Sequence, residues 1–379
     1  MESPMRAQGS EIVGSSPARV DAGDKVSGRA LFVDDIETPG GWFGGTVRSE
    51  APRGKIRAIS LDPAFDWSCA VVVTAGDLPG PNVVSMIKDD HRILAAGDVR
   101  FVGEPVALAA APDRETLAAA LRAIHVEIDP LPPVLTMEEA LRGDRIIWGD
   151  DNVIAEYGIR DGNPAERMRE ADLVIEGVYR TGHQEHLYIE PNGMIAMPRP
   201  DGGVETIGSL QCPYYVHNAL AMALGIAPES LIVRQAATGG AFGGKEDFPS
   251  VLALHASLLA LRAGRPVRMI YERSEDIRCT TKRHPSLIRH RTGVRRDGTI
   301  AAAEIDIVLD GGAYATLSPV VLSRSILHAA GAYRIADISI RGRAVATNTP
   351  PNGAFRGFGA PQSLFAIERQ IDRIAARLG

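Results

Sequence analysis

Apolar and polar residues along the chain form many short strand patterns and a few longer helical ones. Residues 69–74 include three consecutive valines, a composition that favours a half-buried strand. Similar runs predict further strands at 30–33, 45–48, 125–128, 172–179, 207–213, 267–271 and 299–309, and two short ones within 99–109. Apolar residues at helical spacing predict helices at 114–124, 215–224, 249–262 and 364–378. This mixture of elements predicts an α+β fold.

Glycine, serine and proline positions divide the chain into three parts. Residues 1–20 are rich in Ser, Gly and Pro, and we predict a flexible arm there. Prolines at 130, 132 and 133 are typical of a linker. We therefore expect one domain at 21–135 and a second at 136–379. The first carries no obvious group of reactive side chains, so its expected role is structural or in an interface.

Composition narrows the class of protein. The chain has 379 residues, 45% of them hydrophobic, and a net charge of -6, which argues against general binding of nucleic acid. Its three cysteines are far apart, which argues against an iron–sulfur or zinc site within this chain and fits a reducing compartment. Neither a signal-peptide pattern nor an apolar run of membrane-spanning length is present. We expect a cytoplasmic protein that binds neither nucleic acid nor membrane.

The densest glycine cluster lies at residues 239–246, with the sequence Gly-Gly-Ala-Phe-Gly-Gly-Lys-Glu. Such density predicts tight turns or main-chain amides that closely approach a ligand. The stretch almost matches a phosphate-binding loop, in which the residue after lysine is Ser or Thr. Here that residue is Glu246, whose carboxylate would repel a triphosphate. The sequence therefore argues against a nucleotide-hydrolysing protein.

Three other segments contain candidate chemistry. His183 and His186 have a spacing that could suit a metal, but ordinary polar packing is the better hypothesis for such a pair. The basic stretch 278–290 is interpreted as a solvated edge strand, with a site for an anionic cofactor as the alternative. A second glycine cluster, at 352–362, combines glycines with two phenylalanines and an arginine. Such a loop can present amides, a cation and an apolar wall together.

Taken together, the two glycine loops resemble signature loops of the molybdenum-cofactor subunit of the xanthine dehydrogenase/aldehyde oxidase family. Other residues are similar to the family pattern in order and spacing: Gln184-Glu185-His186, Glu190 and Gln211 before the first loop, and Arg283-His284-Pro285 between the two loops. The resemblance covers essentially the whole chain. It implies a hammerhead-type α/β domain at 21–135 and the first half of the molybdopterin-binding domain, with mixed sheets and helices, at 136–379.

The resemblance also implies a role for particular residues. Molybdenum would be held through its pterin, without a direct protein ligand, and the residues expected to contact the cofactor are Gln211, Gly240, Phe242, Gly243, Ala354, Phe355 and Arg356. Phe358 would stack against a flat substrate. Glu246 and Arg324 would bind the substrate on opposite sides and stabilise charge that develops during catalysis.

The implied reaction is hydroxylation of a purine (xanthine or hypoxanthine) or a similar N-heterocycle, with water as the oxygen source. The expected cofactor is molybdopterin or its cytosine dinucleotide form, with [2Fe-2S] and FAD on partner subunits. The catalytic base would lie in a second half of the molybdenum subunit, so the chain is expected to be inactive alone, either as a fragment or as half of a split subunit. The alternatives are an aldehyde-oxidising member of the family and a non-catalytic scaffold or truncated paralogue.

Overall fold

The structure is a computed structural model that describes residues 13–379. Residues 1–12 of the predicted flexible arm lie outside this range, and residues 13–20 are exposed. The elements up to residue 130 are α1 (Ala22–Val26), β1 (Trp42–Arg48), β2 (Gly54–Leu61), β3 (Val71–Thr74), β4 (Asp98–Val99), β5 (Pro105–Ala111), α2 (Arg114–Arg122) and β6 (Ile124–Pro130). These confirm most of the predicted strands and the first predicted helix.

The strand predicted at 30–33 is wrong. Val33–Asp35 is instead a single 3-10 turn. The Asp35 carboxylate accepts a hydrogen bond from the Phe32 amide at 2.9 Å, and a local bond of this kind competes with strand pairing. Of the apolar run 30–33, only Val33 is buried, whereas Ala30, Leu31 and Phe32 are more exposed.

The remaining elements follow from residue 137. They are α3 (Met137–Arg142), β7 (Val153–Asp161), α4 (Pro164–Arg169), β8 (Leu173–Thr181), β9 (Gly193–Pro198), β10 (Val204–Gly208), α5 (Pro213–Leu224), β11 (Leu231–Gln235), α6 (Pro249–Ala263), β12 (Val267–Ile270), α7 (Arg273–Cys279), β13 (Ser286–Val294), β14 (Ile300–Gly312), α8 (Ser318–Leu327), β15 (Asp337–Ala346) and α9 (Ala360–Leu378). Gly225 and Gly264 end α5 and α6 in the left-handed conformation. No helix within residues 13–379 is both long and apolar enough to cross a membrane.

The largest sheet has seven strands in the order β11-β10-β9-β12-β1-β5-β3. It joins strands from before and after residue 135, because β1 pairs in parallel with β12 at Trp42–Val267 and Phe43–Arg268. Helix α6 packs on this sheet and is buried over most of its length, which explains its almost uniformly apolar sequence. The two sequence regions thus share one core, and the boundary at residue 135 remains a prediction.

The second sheet has five strands in the order β7-β15-β14-β13-β8, and a small third sheet has the order β4-β2-β6. Strand β13 lies between β14 and β8, so the interpretation of 278–290 as a solvated edge strand is wrong. Lys282, Arg283, His284 and His290 are all buried. Their partners come from distant segments: Lys282 pairs with Glu185 at 2.8 Å. The sequence could not show this pairing, because about a hundred residues separate the two side chains.

Candidate cofactor-binding site

The two glycine loops meet at one open cleft with a volume of about 410 Å³. One loop, 239–246, precedes α6, and the other, 353–359, precedes α9. The cleft is lined by Gln211, Phe242, Gly243, Glu246, Ala354, Phe355, Arg356, Gly357 and Phe358. Of the residues predicted for the site, only Gly240 and Arg324 are absent from this lining.

Direct backbone contact joins the two loops. Gly243 has φ of 102°, and a Cβ atom there would lie 2.8 Å from the carbonyl carbon and oxygen of Ala354. The amide of Arg356 donates a hydrogen bond to the carbonyl of Phe242 at 2.8 Å. Only glycine permits this close approach, so the glycine pattern is explained by loop-to-loop packing at this position. Gly240 lies behind the cleft against Tyr188.

Gln211 reaches the cleft from the segment between β10 and α5. Its side-chain oxygen Oε1 accepts hydrogen bonds from the amides of Gly243 at 3.1 Å and Lys245 at 3.3 Å. Its backbone amide donates to the carbonyl of Lys245 at 2.7 Å. The orientation of the carboxamide is therefore fixed, and its NH2 group, which has no hydrogen-bond partner within residues 13–379, is available to a ligand.

Glu246 and Lys245 face opposite sides of the glycine loop. Glu246 is half-buried at the cleft, its carboxylate has no partner within the described range, and burial raises the pKa of this carboxyl group. Lys245 is fully buried, and its Nζ lies 2.7 Å from the carbonyl of Glu190 and 3.1 Å from the Glu190 carboxylate. A nucleotide phosphate could not reach this lysine, which agrees with the argument against a phosphate-binding loop.

Phe355 is held between two side chains at the base of the second loop. The His186 ring stacks on it with centroids 4.2 Å apart, and the Arg283 guanidinium lies 4.0 Å from its centroid. Arg283 also donates to the carbonyl of Arg356 at 2.9 Å, and His186 Nε2 donates to the carbonyl of Ala354 at 2.7 Å. Burial lowers the pKa of His186 to about 4, so the ring is neutral at pH 7. His186 is a packing residue, while His183 is exposed.

The outer edge of the cleft carries the remaining predicted residues. Phe358 is half-buried with φ of 50°, and the Arg356 guanidinium is exposed without a partner in the part of the chain that the structure describes. Arg324 is exposed on α8, which lies directly behind this loop, since a Cβ atom at Gly359 would be 2.2 Å from the Val321 carbonyl. The structure therefore brings Phe358 and Arg356 to the cleft, and places Arg324 on a neighbouring helix.

A buried polar network behind the glycine loop is absent from the sequence prediction. Asp276 is fully buried and accepts hydrogen bonds from the Tyr188 hydroxyl and the Asn192 amide, each at 2.6 Å. Lys245 lies 4.7 Å from the centre of the Tyr188 ring. Asp276 is 88 positions from Tyr188 in the chain, and no local pattern links them. The sequence offered one indication of buried polar contacts here, since Lys245 of the glycine loop would need a partner for its ammonium group.

Comparison with known proteins agrees with this geometry. Residues 149–379 match the model of the molybdopterin cofactor-binding domain, and residues 27–132 match the a/b hammerhead domain of aldehyde oxidase and xanthine dehydrogenase. A probable xanthine dehydrogenase subunit of Bacillus subtilis is 36% identical over 96% of this chain and 49% of that protein. The nicotinate dehydrogenase large molybdopterin subunit of Eubacterium barkeri is 32% identical over 97% of this chain and 87% of that protein.

Similarity extends to solved structures. Quinoline 2-oxidoreductase from Pseudomonas putida 86 superimposes with a TM-score of 0.87 and 28% identity, over 97% of this chain and 48% of that one. The chain belongs to the xanthine dehydrogenase and aldehyde oxidase family of molybdenum-cofactor oxidoreductases. It spans about half the length of the Bacillus subtilis relative and most of the Eubacterium barkeri one. The expected hammerhead and molybdopterin-binding folds are confirmed.

Proposed function

We propose that this chain forms one wall of the molybdenum site in an enzyme that hydroxylates a purine, such as xanthine or hypoxanthine, or a similar N-heterocycle. The observation that carries the proposal is the Gln211 carboxamide, which is fixed through its oxygen and presents an unpaired NH2 group at the cleft. Gln211 is exposed at the cleft, and an NH2 group that is already oriented beside a glycine loop supports a ligand with acceptor oxygens.

The chain's own residues would bind and orient the cofactor. Gln211 donates to an oxygen of the cofactor, Phe242 and Gly243 offer main-chain contact, and the loop containing Ala354, Phe355 and Arg356 closes the same side of the cleft. The exposed Arg356 guanidinium suits an anionic pterin phosphate. When bound, the cofactor supplies the oxygen-atom and electron chemistry of the hydroxylation. The protein contributes position and charge.

Glu246, Phe358 and Arg324 would bind the substrate. Glu246 is a half-buried acid with a raised pKa, which suits a hydrogen bond to a ring nitrogen or oxygen. Phe358 presents an aromatic face at the cleft for stacking on a flat ring. Arg324, which has no partner within residues 13–379, is assigned to the opposite side of the substrate, where it would stabilise developing negative charge.

The proposed enzyme needs further polypeptide. The catalytic base would come from a second half of the molybdenum subunit, and [2Fe-2S] and FAD subunits would carry electrons away, in the cytoplasm. The chain is then either half of a split subunit or a fragment of a longer one. The 87% coverage of a large molybdopterin subunit supports testing the split arrangement first. In either case, the chain alone is expected to hold little cofactor and to show no turnover.

Two alternatives are weighed against specific observations. Arg324 does not line the cleft, and Phe242, Ala354 and Phe358 give it an apolar character, which would also suit an aldehyde substrate. A non-catalytic scaffold or truncated paralogue is disfavoured, because an oriented donor and an unpaired acid would have no role in it. The two enzyme hypotheses differ because oxidation of an N-heterocycle would require Arg324, whereas oxidation of an aldehyde would not.

The test is kinetic. In the enzyme purified with its partner polypeptides, Arg324→Leu should lower kcat/KM for hypoxanthine by about 100-fold, as expected for the loss of a group that stabilises transition-state charge. Turnover of a benzaldehyde should change little, because it presents no second polar edge. Equal loss for both substrates would indicate general damage, and unchanged hypoxanthine turnover would favour the aldehyde hypothesis. Arg341→Leu, which removes a sheet arginine paired with Glu156, is the matched control.

A further inference from the structure

One buried ion pair fastens both ends of the glycine loop 239–246. At the start of the loop, the amide of Gly239 donates to the Glu190 carboxylate at 2.7 Å. At its end, Lys245 Nζ lies 3.1 Å from the same carboxylate oxygen and donates to the Glu190 carbonyl at 2.7 Å. The Lys245 side chain is fully buried, and Glu190 is only 16% exposed. Both ends of the loop therefore bind the same carboxylate, that of Glu190.

The same ion pair is connected to Gln211. Ser209 Oγ donates to the Glu190 carboxylate at 2.6 Å and accepts from Lys245 Nζ at 2.8 Å. Ser209 lies two residues before Gln211, whose amide and side-chain oxygen both bond to the Lys245 backbone. Movement of Lys245 would therefore shift the carboxamide and the Gly243 amide that it also binds.

We propose that Lys245 and Glu190 are positioning residues for the molybdenum cofactor. This inference rests on the proposed function, since it assigns Gln211 to the cofactor. Neither residue lines the cleft, and the Lys245 ammonium group faces the Tyr188 ring on the other side of the loop. The pair acts through Gln211 and Gly243, by fixing the direction of their donors before the cofactor binds. Preorganisation of this kind lowers the ordering cost of binding.

A contribution to stability alone would not require this arrangement. Replacing both members of a buried ion pair with neutral residues is often neutral for stability, whereas removing one member leaves an unpaired charge. The contacts of Lys245 join the loop, Glu190 and Ser209 in one geometry that a neutral pair cannot reproduce. Stability and positioning can therefore be separated by comparing single and double variants.

The experiment uses the enzyme purified with its partner polypeptides through a tag on this chain. The variants are Lys245→Met, Glu190→Gln and the double variant, with Glu156→Gln as a control that removes an exposed charge from the pair with Arg341. Glu190→Gln keeps an acceptor for Gly239. The measurements are Tm, molybdenum per chain, the rate of cofactor release and the Mo(V) electron paramagnetic resonance spectrum.

We expect both single variants to have a lower Tm and less molybdenum per chain than the wild type. The double variant should recover most of the lost Tm, yet release the cofactor about 10- to 100-fold faster than the wild type, the range typical of lost supporting contacts around a metal site. Its Mo(V) spectrum should also be altered. A double variant with wild-type Tm, release rate and spectrum would overturn the inference, because the pair would then be structural only.

Two further outcomes keep the test decisive. If the double variant does not fold, Ser209→Ala keeps the ion pair and the backbone bonds between Lys245 and Gln211, but removes the hydroxyl that joins the ion pair to the Gln211 segment. That variant should show a smaller change in release rate and spectrum in the same direction, and no change would overturn the inference. A wild-type enzyme without molybdenum would instead contradict the proposed function, and the inference would fail with it.

Discussion

The glycine loop 239–246 separates two different polar environments. On its inner side the ionised groups are paired: Lys245 with Glu190, while Asp276 accepts hydrogen bonds from buried donors. On its outer side, the Gln211 NH2 group and the Glu246 carboxylate have no partner within residues 13–379. Because these two groups line the cleft and are not buried, the outer side is where a ligand is expected. The contacts on the inner side fix the geometry of the loop, and the groups on the outer side are available to bind a ligand.

The largest expected effect on stability comes from disrupting the hydrogen-bond network on the inner side of the loop. Asp276→Ala removes the acceptor of the Tyr188 hydroxyl and the Asn192 amide in a fully buried position. We expect the free energy of unfolding to fall by about 3–5 kcal/mol, because several donors lose their partner together. Urea denaturation of the purified chain measures this change.

The matched control is Asp144→Ala, which removes an exposed carboxylate paired with Arg142. An exposed pair of this kind contributes at most about 1 kcal/mol. Equal effects of the two substitutions would contradict the distinction between the inner network and ordinary surface ion pairs.

The loss of stability at acidic pH should also depend mainly on buried ionisable groups. Burial lowers the pKa of five histidines, to about 4 or about 3: His91, His186, His255, His284 and His290. Each binds its proton more readily when unfolded, so its contribution is present above pH 6.5 and is lost as the pH falls toward the folded-state pKa. Asp247 and Asp310, whose pKa burial raises to about 6, act in the opposite direction between pH 4 and 6.

Because the histidines outnumber these two acids, the free energy of unfolding should fall as the pH drops from 6.5 to 4. Denaturant titrations at successive pH values measure the slope. His186→Gln keeps a donor for the Ala354 carbonyl and should reduce the slope by about 1.4 kcal/mol per pH unit, the effect of one proton. A slope identical to that of the wild type would show that His186 is not neutral and buried as described.

The sequence predicted the outer side better than the inner side. Gln211, Glu246, Ala354, Phe355, Arg356 and Phe358 were expected at the site because the two glycine loops resemble family signature loops, and all of them line the cleft. Most of the strands and the four helices α2, α5, α6 and α9 followed from apolar periodicity, whereas α1, α3, α4, α7 and α8 were not predicted. The inner side depends on pairs such as Tyr188–Asp276, which are distant in the chain and leave no periodic signal. For the same reason, the basic stretch 278–290 was interpreted as exposed, although Lys282 and Arg283 are buried against distant partners.

The central claim is that the oriented NH2 group of Gln211 binds the molybdenum cofactor, and Gln211→Glu tests it most directly. This substitution keeps an oxygen that accepts from Gly243 and Lys245, but it removes the free donor. The free energy of unfolding should change by no more than about 0.5 kcal/mol, the usual range for a change outside the core. Gln235→Glu makes the same chemical change at an exposed position of β11 and serves as the control.

The deciding measurement is the molybdenum content per chain of the enzyme purified with its partners, together with its rate of cofactor release. We predict that Gln211→Glu releases the cofactor about 10- to 100-fold faster than the wild type, while Gln235→Glu does not. Full molybdenum content with a wild-type release rate in Gln211→Glu would contradict the claim.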